Sequence, residues 1–587
     1  MNQQKDQEYL DRLRHSCAHL LAAAVLEIYP QAKPTLGPPI EDGFYYDFDF
    51  GEESISKDDL EQIENKMREL KKDWKKFSHK EVAVEEARDY FADNEYKLEL
   101  IDEIDEKDED ITFYTSGNFT DLCRGGHVEN PNEEMGAIKL TDVAGAYWRG
   151  DEDNKMLTRI YGTCFNTKDE LEGYLEWKEE AKQRDHKKLG KKLDLFTFSD
   201  DIGPGLPMFT PKGNIIRQEI LEYCRGVNEK CGFQEVHTPN INKASLFETS
   251  GHIEKFEDGM FSVESNFSED EYFLKPMNCP QHTQIFNRKT RSYRDLPIRY
   301  SDFANLYRDE KPGEVGGITR TRCFAQDDGH IFCRKDQIKQ EYDKTLDAIE
   351  EVLSTFELEY EVMLSLWDPE NKDDYLGEDK LWKEAQTQLK ELLEDKNIDY
   401  TEKQGEAAFY GPKMDFIARD ALKREWDIST IQIDLNLPRR FDLEYVDENG
   451  ERKPPIMIHR AMIGSLERFM GVLIEHYGGE FPTWLAPTQV HFIPVSSENH
   501  IDGTREIAGE FRQEGIRVDI DDSDESVGKR ISNAVKQKIP YILVIGDKEL
   551  SGDKFTVRVR DEGGDEVEVD KRKFVDKLNK QFEKKNN

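Results

Sequence analysis

Apolar residues in the first part of the chain follow two rhythms. Leu10, Leu13, Leu20 and Leu21 fall at helical spacing among polar neighbours, and Leu60, Ile63, Met67, Leu70 and Trp74 repeat that spacing in steps of three and four. Between them, PTLGPPIEDGFYYDFDF has the Gly/Pro punctuation and aromatic density of turns and strands, so residues 1 to about 165 predict an α+β domain. Residues 170 to 193 carry dense charge over a thin stripe of Leu171, Tyr174, Leu175, Leu189 and Leu193, which predicts a helical connector and a domain boundary. From 195 to 483 the strand-like runs FQEVHTPNI, IQIDLNL and PIMIHRAMI alternate with helical runs at 336–356 and 377–394, again α+β. Beyond Pro482 and Pro487, four strand-like runs (VHFIPVS, IRVDIDD, PYILVIG, FTVRVRD) and two helical ones predict a small α/β domain. The Lys- and Asn-rich end, QFEKKNN, predicts a frayed terminus.

Composition narrows the class. With 587 residues, 36% hydrophobic and 11% aromatic, the chain has enough apolar material for several cores, which excludes bulk disorder and a single small module. No apolar run reaches the 18 residues a membrane helix needs, and MNQQKDQEYLDRLRHS lacks the layout of a signal peptide, so the expectation is a soluble cytoplasmic protein with no membrane association. Eight cysteines without a C-x-x-C pair fit free thiols or isolated metal ligands in a reducing compartment. A net charge of −41 repels nucleic acid on average, so an RNA partner must be met by a local basic patch; the acidity also fits a salty cytoplasm.

Several groups can carry chemistry. His15 and His19 are one helical turn apart and present both imidazoles to one side, as metal ligands or a proton-transfer pair require; Cys123 and His127 repeat the spacing, although buried or surface histidines do so without function. Arg308 and Glu310, two apart in a predicted strand, face the same side, and Arg468 offers a second phosphate clamp. The chain has neither a P-loop nor a G-x-G-x-x-G turn, so nucleotide chemistry rests on arginines.

At this point a resemblance enters. GFQEVHTP (232–239), YRDE (307–310) and GSLERF (464–469) resemble motifs 1, 2 and 3 of class II aminoacyl-tRNA synthetases, and HSCAHLL, KPMNCP, QDDGHIFC and FYGPK resemble threonyl-tRNA synthetases, over residues 8 to about 575. The resemblance implies an α+β multidomain protein: an editing domain over 1–168, a linker helix over 169–194, a class II catalytic domain with an antiparallel-sheet core over 195–484 and an α/β anticodon-binding domain over 485–587. It implies ATP-dependent activation of threonine to threonyl-adenylate, transfer to tRNA(Thr) and hydrolytic editing of mischarged seryl-tRNA(Thr). Threonine, ATP with Mg2+ and tRNA(Thr) are then the partners, and the motif 1 match at Pro239 implies a homodimer.

Roles follow by the same resemblance. Arg308 takes the α-phosphate, Glu310 and Arg320 flank the nucleotide, Phe324 stacks on adenine and Arg468 holds the γ-phosphate. Gln326, Asp328, Tyr410, Lys413, Gln432 and Ser465 complete the substrate site. Cys279, His330 and His459 match the ligands of one zinc per subunit, which leaves an open position for substrate; their spacing alone carries no such signature. A metal that binds the threonine hydroxyl, with Asp328 accepting its hydrogen, rejects near-isosteric valine, a task an apolar pocket performs poorly. Serine keeps the hydroxyl and lacks only a methyl, worth about 1–3 kcal/mol, so a hydrolytic site is needed. The resemblance assigns it to His15, His19, Lys97, Asp121, Cys123 and His127, acting without metal although the ligand types suit zinc. Asp524, Glu549 and Arg558 occupy the positions that read anticodon bases.

Departures from the family pattern are the missing N-terminal ubiquitin-like domain, Gly126 where Pro is common, Asp427 where Gln is usual and expected near the amino-acid pocket, and Asp524 where Asn is common. Two other classes remain as alternatives: a catalytically silent paralogue that binds RNA or senses threonine, expected to have lost Arg308, Arg468 or the zinc set, and a proline or serine synthetase with a related core.

Overall fold

The computed structural model describes residues 2–151, 153–311 and 313–583, so most of the expected frayed end, at 584–587, lies outside the described residues. The chain forms two compact units, 1–179 and 180–587.

In the first unit the helix Asn2–Ile28 buries Leu13, Leu20 and Leu21 against a five-stranded sheet whose long members are Gly43–Asp49, Ala137–Tyr147 and Met156–Phe165. Phe44, Tyr46 and Phe48 are buried on one face of this strand; on the other Tyr45 is half-buried and Asp47 is buried in a 2.7 Å pair with Arg159. The helix expected to run to Trp74 stops at Leu70 and tightens into a 3-10 turn, Lys71–Asp73, which tucks the Trp74 ring into the core. A second sheet of three strands, Ser78–Glu81, Thr112–Ser116 and Phe119–Leu122, carries Asp121 and leads into Cys123.

The connector is not one helix. Lys168–Arg184 ends at Asp185, whose carboxylate accepts the amides of Lys187 and Lys188 and starts a new helix, His186–Lys192.

The second unit is built on a nine-stranded sheet. Cys323–Cys333 lies at its centre between Ile298–Asp302 and Ile456–Ser465, followed outward by Glu425–Asp434, Lys413–Arg419, Glu359–Leu366 and Tyr400–Gln404. Pairing is antiparallel except for Gln234–Glu235 against Tyr300–Ser301 and for the outermost pair, Glu359–Leu366 with Tyr400–Gln404. Helices Pro211–Lys230, Ile338–Thr355 and Leu466–His476 pack Ile216, Ile220, Ile349, Val352 and Phe469 against it at zero exposure. The run FQEVHTPNI is not one strand: Pro239 cannot donate to a ladder, and only Gln234–Glu235 and Ile241–Lys243 pair, in different sheets.

The C-terminal sheet has the order Val518–Ile520, Val490–Pro494, Tyr541–Ile545, Lys554–Val559, Asp565–Asp570, parallel across the first three. The fifth strand escapes the sequence reading because DEVEVD is mostly acidic and sits at a half-solvated edge.

Candidate active sites and metal centre

Three cavities collect most of the candidate residues. The largest, about 410 Å3, lies in the first unit and is lined by His15, His19, Lys97, Asp121 and Cys123 together with Tyr46. His15 and His19 sit one turn apart with ring centroids 5.0 Å apart. Cys123 Sγ is 3.6 Å from His15 Nε2 and 3.3 Å from His127 Nε2. His127 does not line the cavity; it stands behind Cys123, stacked on Phe77 at 3.9 Å, with Nδ1 3.4 Å from Ser16 Oγ. Beside these rings Lys97 Nζ and Asp121 Oδ1 pair at 2.5 Å, and Tyr46 OH donates to Asp121 Oδ2 at 2.5 Å, all three almost fully buried.

Burial sets the protonation here. It lowers His15, pushes His19 well below the ordinary range and, with the two neighbouring imidazoles, takes His127 down to about 2. The same burial raises the Cys123 thiol to about 11. At neutral pH the site therefore offers uncharged imidazoles and a thiol rather than a thiolate nucleophile. Gly125 and Gly126 have φ of +95° and +84°; proline, fixed near −65°, cannot occupy position 126 in this turn, so the loop takes a path the common pattern forbids.

In the second unit, two cavities of about 240 and 150 Å3 share Arg308, Gln326, Thr430 and Ala461 in their walls. The larger holds Cys279, Asp328, His330, Tyr410, Lys413, Gln432 and His459. His330 and His459 are direct cross-strand partners, and Cys279 begins the helix Cys279–Asn287 beside them; the three ligand atoms lie within 4.8 Å of one another. His330 Nε2 faces His459 Nδ1 at 3.1 Å, while Asp434 Oδ2 holds the other nitrogen of His459 at 2.9 Å and His282 lies against the other nitrogen of His330 at 2.7 Å. Two ring nitrogens turned toward each other beside a thiol, each ring braced from behind, fit a cation between them by donor type and orientation. Burial, then His282 and His459, keeps His330 far below its usual pKa and hence in the ligating, neutral form. Tyr410 stacks on His459 at 4.6 Å and donates to Gln432 Oε1 at 2.6 Å, closing that wall.

The smaller cavity holds Arg308, Glu310, Arg320, Phe324, Ser465 and Arg468. Arg308 and Glu310 do not share a strand face: the strand ends at Tyr307, and they converge from the loop beyond it. The Arg308 guanidinium lies 5.2 Å from the Phe324 ring centre, and its buried Nε has no partner. Arg320 is held by Glu310 at 2.7 Å and Glu314 at 3.1 Å. Gly464, at φ +59°, turns the strand Ile456–Ser465 into the helix Leu466–His476 where a Cβ would meet Ile428 O at 2.7 Å; Ser465 caps the helix through the Arg468 amide at 3.2 Å. Asp427, beside a β-bulge opposite Ile417, lines this cavity, which adjoins the one around His330 and shares Arg308, Gln326, Thr430 and Ala461 with it.

In the C-terminal sheet Glu549 accepts from Thr556 Oγ1 at 3.3 Å, and Thr556 and Arg558 share one strand face. Arg558 is paired with Glu566 at 2.8 Å. Asp524 is exposed in the loop before the helix Val527–Lys536, with no described contact to either.

Sequence reasoning missed His282, His252, Asp434 and Tyr46. His282, one turn after Cys279, had a readable signal; His252, 3.9 Å from Cys279 Sγ, and Tyr46 had none beyond residue type.

Three regions of the chain match known family models. Residues 111–161 match the threonyl and alanyl tRNA synthetase second additional domain, 261–477 the class II tRNA synthetase core domain (G, H, P, S and T), and 489–581 an anticodon binding domain. The chain is 48% identical to the threonine–tRNA ligase of Rubrobacter xylanophilus over 96% of its own length and 88% of that protein's, and 46% identical to that of Natronomonas pharaonis over 98% and 88%. The solved RNA binding domain of threonyl-tRNA synthetase from Cryptosporidium parvum superposes with a TM-score of 0.64 at 36% identity, covering 68% of this chain and 98% of that one. A class II core, an additional N-terminal domain and an anticodon-binding domain, with relatives this similar over nearly all of its length, make the chain a member of the threonine–tRNA ligase family.

Proposed function

We propose that this chain activates threonine with ATP·Mg2+, transfers it to tRNA(Thr) and hydrolyses seryl-tRNA(Thr), as a cytoplasmic homodimer carrying one zinc per subunit. The observation that carries the reading is the cross-strand pair His330 and His459 with Cys279, in a cavity that shares a wall with the arginine-lined one. Cys279, His330 and His459 would hold the zinc, which supplies a Lewis-acid position for the amino group and hydroxyl of a β-hydroxy amino acid. Asp328, buried 3.7 Å from His330 Nε2, is aimed to accept the hydroxyl hydrogen. Arg308 and Arg468 orient the phosphates and neutralise charge that builds at the α-phosphate during in-line attack by the threonine carboxylate, and Phe324 stacks the base. No protein nucleophile is required.

In the first unit the neutral imidazoles support metal-free hydrolysis: one takes a proton from the water that attacks the ester carbonyl and passes it to the leaving ribose oxygen as the acyl–oxygen bond breaks, while Lys97, Asp121 and Tyr46 fix the polar wall that receives the aminoacyl ester. The functional partition is editing over 1–168, linker over 169–194, catalysis over 195–484 and anticodon binding over 485–587, where Glu549 and Arg558 meet bases. Asp524, an acceptor without a donor when ionised, reads its base differently from the usual Asn. Among the described residues no helix is long and apolar enough to cross a membrane. Pyrophosphate exchange with all twenty amino acids tests the assignment: threonine alone should support full exchange, serine weaker exchange and valine almost none. Exchange driven best by proline or serine, or by no amino acid, contradicts it. Light scattering at micromolar concentration should give the mass of a dimer; a monomer contradicts the twofold assembly.

A further inference from the structure

The residue that the substrate-site assignment leaves over is Asp427. The β-bulge by Ile417 projects it into the 150 Å3 cavity with Arg308, Phe324 and Arg468. That cavity is built for an anion: Arg308 Nε is buried there without a partner. Of the other carboxylates nearby, Glu310 is engaged by Arg320 and Asp415 by Lys413, Ser365 and Thr430, while Glu406 adds a further negative charge. The Asp427 carboxylate makes no hydrogen bond or ion pair among the described residues. Asp427 is exposed where it lines this cavity; partial desolvation and the Asp415 and Glu406 charges raise its pKa, Lys413 and Arg468 partly offset them, and the carboxylate stands where a triphosphate would lie.

An unpaired carboxylate facing a polyanion is repulsive unless a cation stands between them. Oxygen-only donors of this kind suit Mg2+, which is commonly held by one or two carboxylates together with substrate phosphates. We propose that Asp427 binds the divalent cation that enters with ATP, so that nucleotide binding here depends more steeply on free Mg2+ than the arginines alone would require. The inference rests on the ligase reading above.

The test uses the full chain. Free Mg2+ is titrated at fixed ATP in threonine-dependent pyrophosphate exchange for the parent, Asp427→Asn and Asp427→Gln, and Mn2+ binding in the presence of a non-hydrolysable ATP analogue is followed by electron paramagnetic resonance. Half-saturating Mg2+ should rise about tenfold in both variants, excess Mg2+ should restore the rate, and Mn2+ should bind about tenfold more weakly. Unchanged metal dependence with a raised KM for ATP, the difference vanishing with deoxy-ATP, would mean that Asp427 holds a ribose hydroxyl and would overturn the proposal. Absence of exchange in the parent would overturn the ligase reading instead, while Mn2+ binding would still decide the role of Asp427.

Discussion

The two units each gather histidines and a cysteine within 4.8 Å, His15, His19, Cys123 and His127 in one and Cys279, His330 and His459 in the other, yet what lies behind the rings differs. Around His459 a carboxylate, Asp434, holds the second nitrogen at 2.9 Å. In the N-terminal set no carboxylate reaches an imidazole within hydrogen-bonding distance among the described residues: His127 leans on Phe77 and Ser16, and the one nearby acid, Asp121, is taken by Lys97 and Tyr46. An acid behind a ligating imidazole fixes its tautomer and raises its basicity; rings braced by rings remain weak, neutral bases. Donor type alone would assign metal to both sites, whereas the support behind the donors separates a metal centre from a proton-transfer site.

The comparison breaks most visibly at Arg308. Arg308→Ala should lower threonine-dependent pyrophosphate exchange by at least about 1,000-fold, roughly 4 kcal/mol of barrier, and leave hydrolysis of preformed seryl-tRNA at the parent rate. Loss of both activities would mean that the two sites are not chemically independent.

The reverse experiment is the Cys123→Ala, His127→Ala double variant. Clearance of seryl-tRNA should fall about 100-fold, the lower end of what general acid–base groups contribute, and threonyl-tRNA formation should stay within about threefold, near 0.65 kcal/mol. Seryl-tRNA cleared at the parent rate would remove the hydrolytic site from this unit.

A stability measurement tests the electrostatics. His15, His19 and His127 are held below the ordinary imidazole pKa of about 6.5, so the unfolded chain takes up their protons first. Their contribution to stability is complete above that pH and is lost as pH falls through it toward the native value, about 2 for His127. Each histidine adds a slope of at most about 1.4 kcal/mol per pH unit. Hydrogen exchange in residues 8–165 should therefore report a loss of about 4 kcal/mol between pH 7 and 5, about 2 kcal/mol from each of His19 and His127; a flat profile would show these rings accessible to protons.

What the sequence revealed follows from where spacing is local. The one-turn separation of His15 and His19 survives because a helix turns side chains at a fixed rate, and Ser465 as a helix cap is readable for the same reason. His330 and His459 meet only through the register of strands 129 residues apart, which no window of the chain records; the family resemblance was needed to pair them. The bulge that sets Asp427 beside Ile428 in one cavity wall adds a residue to the strand, which strict alternation along the chain does not record. The break at Asp185 was in plain view as a capping residue followed by lysines, but the charge pattern on both sides read as one helix.

Metal content tests the central distinction most directly. Elemental analysis of the purified full chain should give one zinc per subunit in the parent and in Cys123→Ala, and close to none in His459→Ala, which should also lose threonine activation. Two zinc ions per parent chain, loss of zinc in Cys123→Ala, or a metal-free His459→Ala that activates threonine at full rate would contradict the division of the two sites.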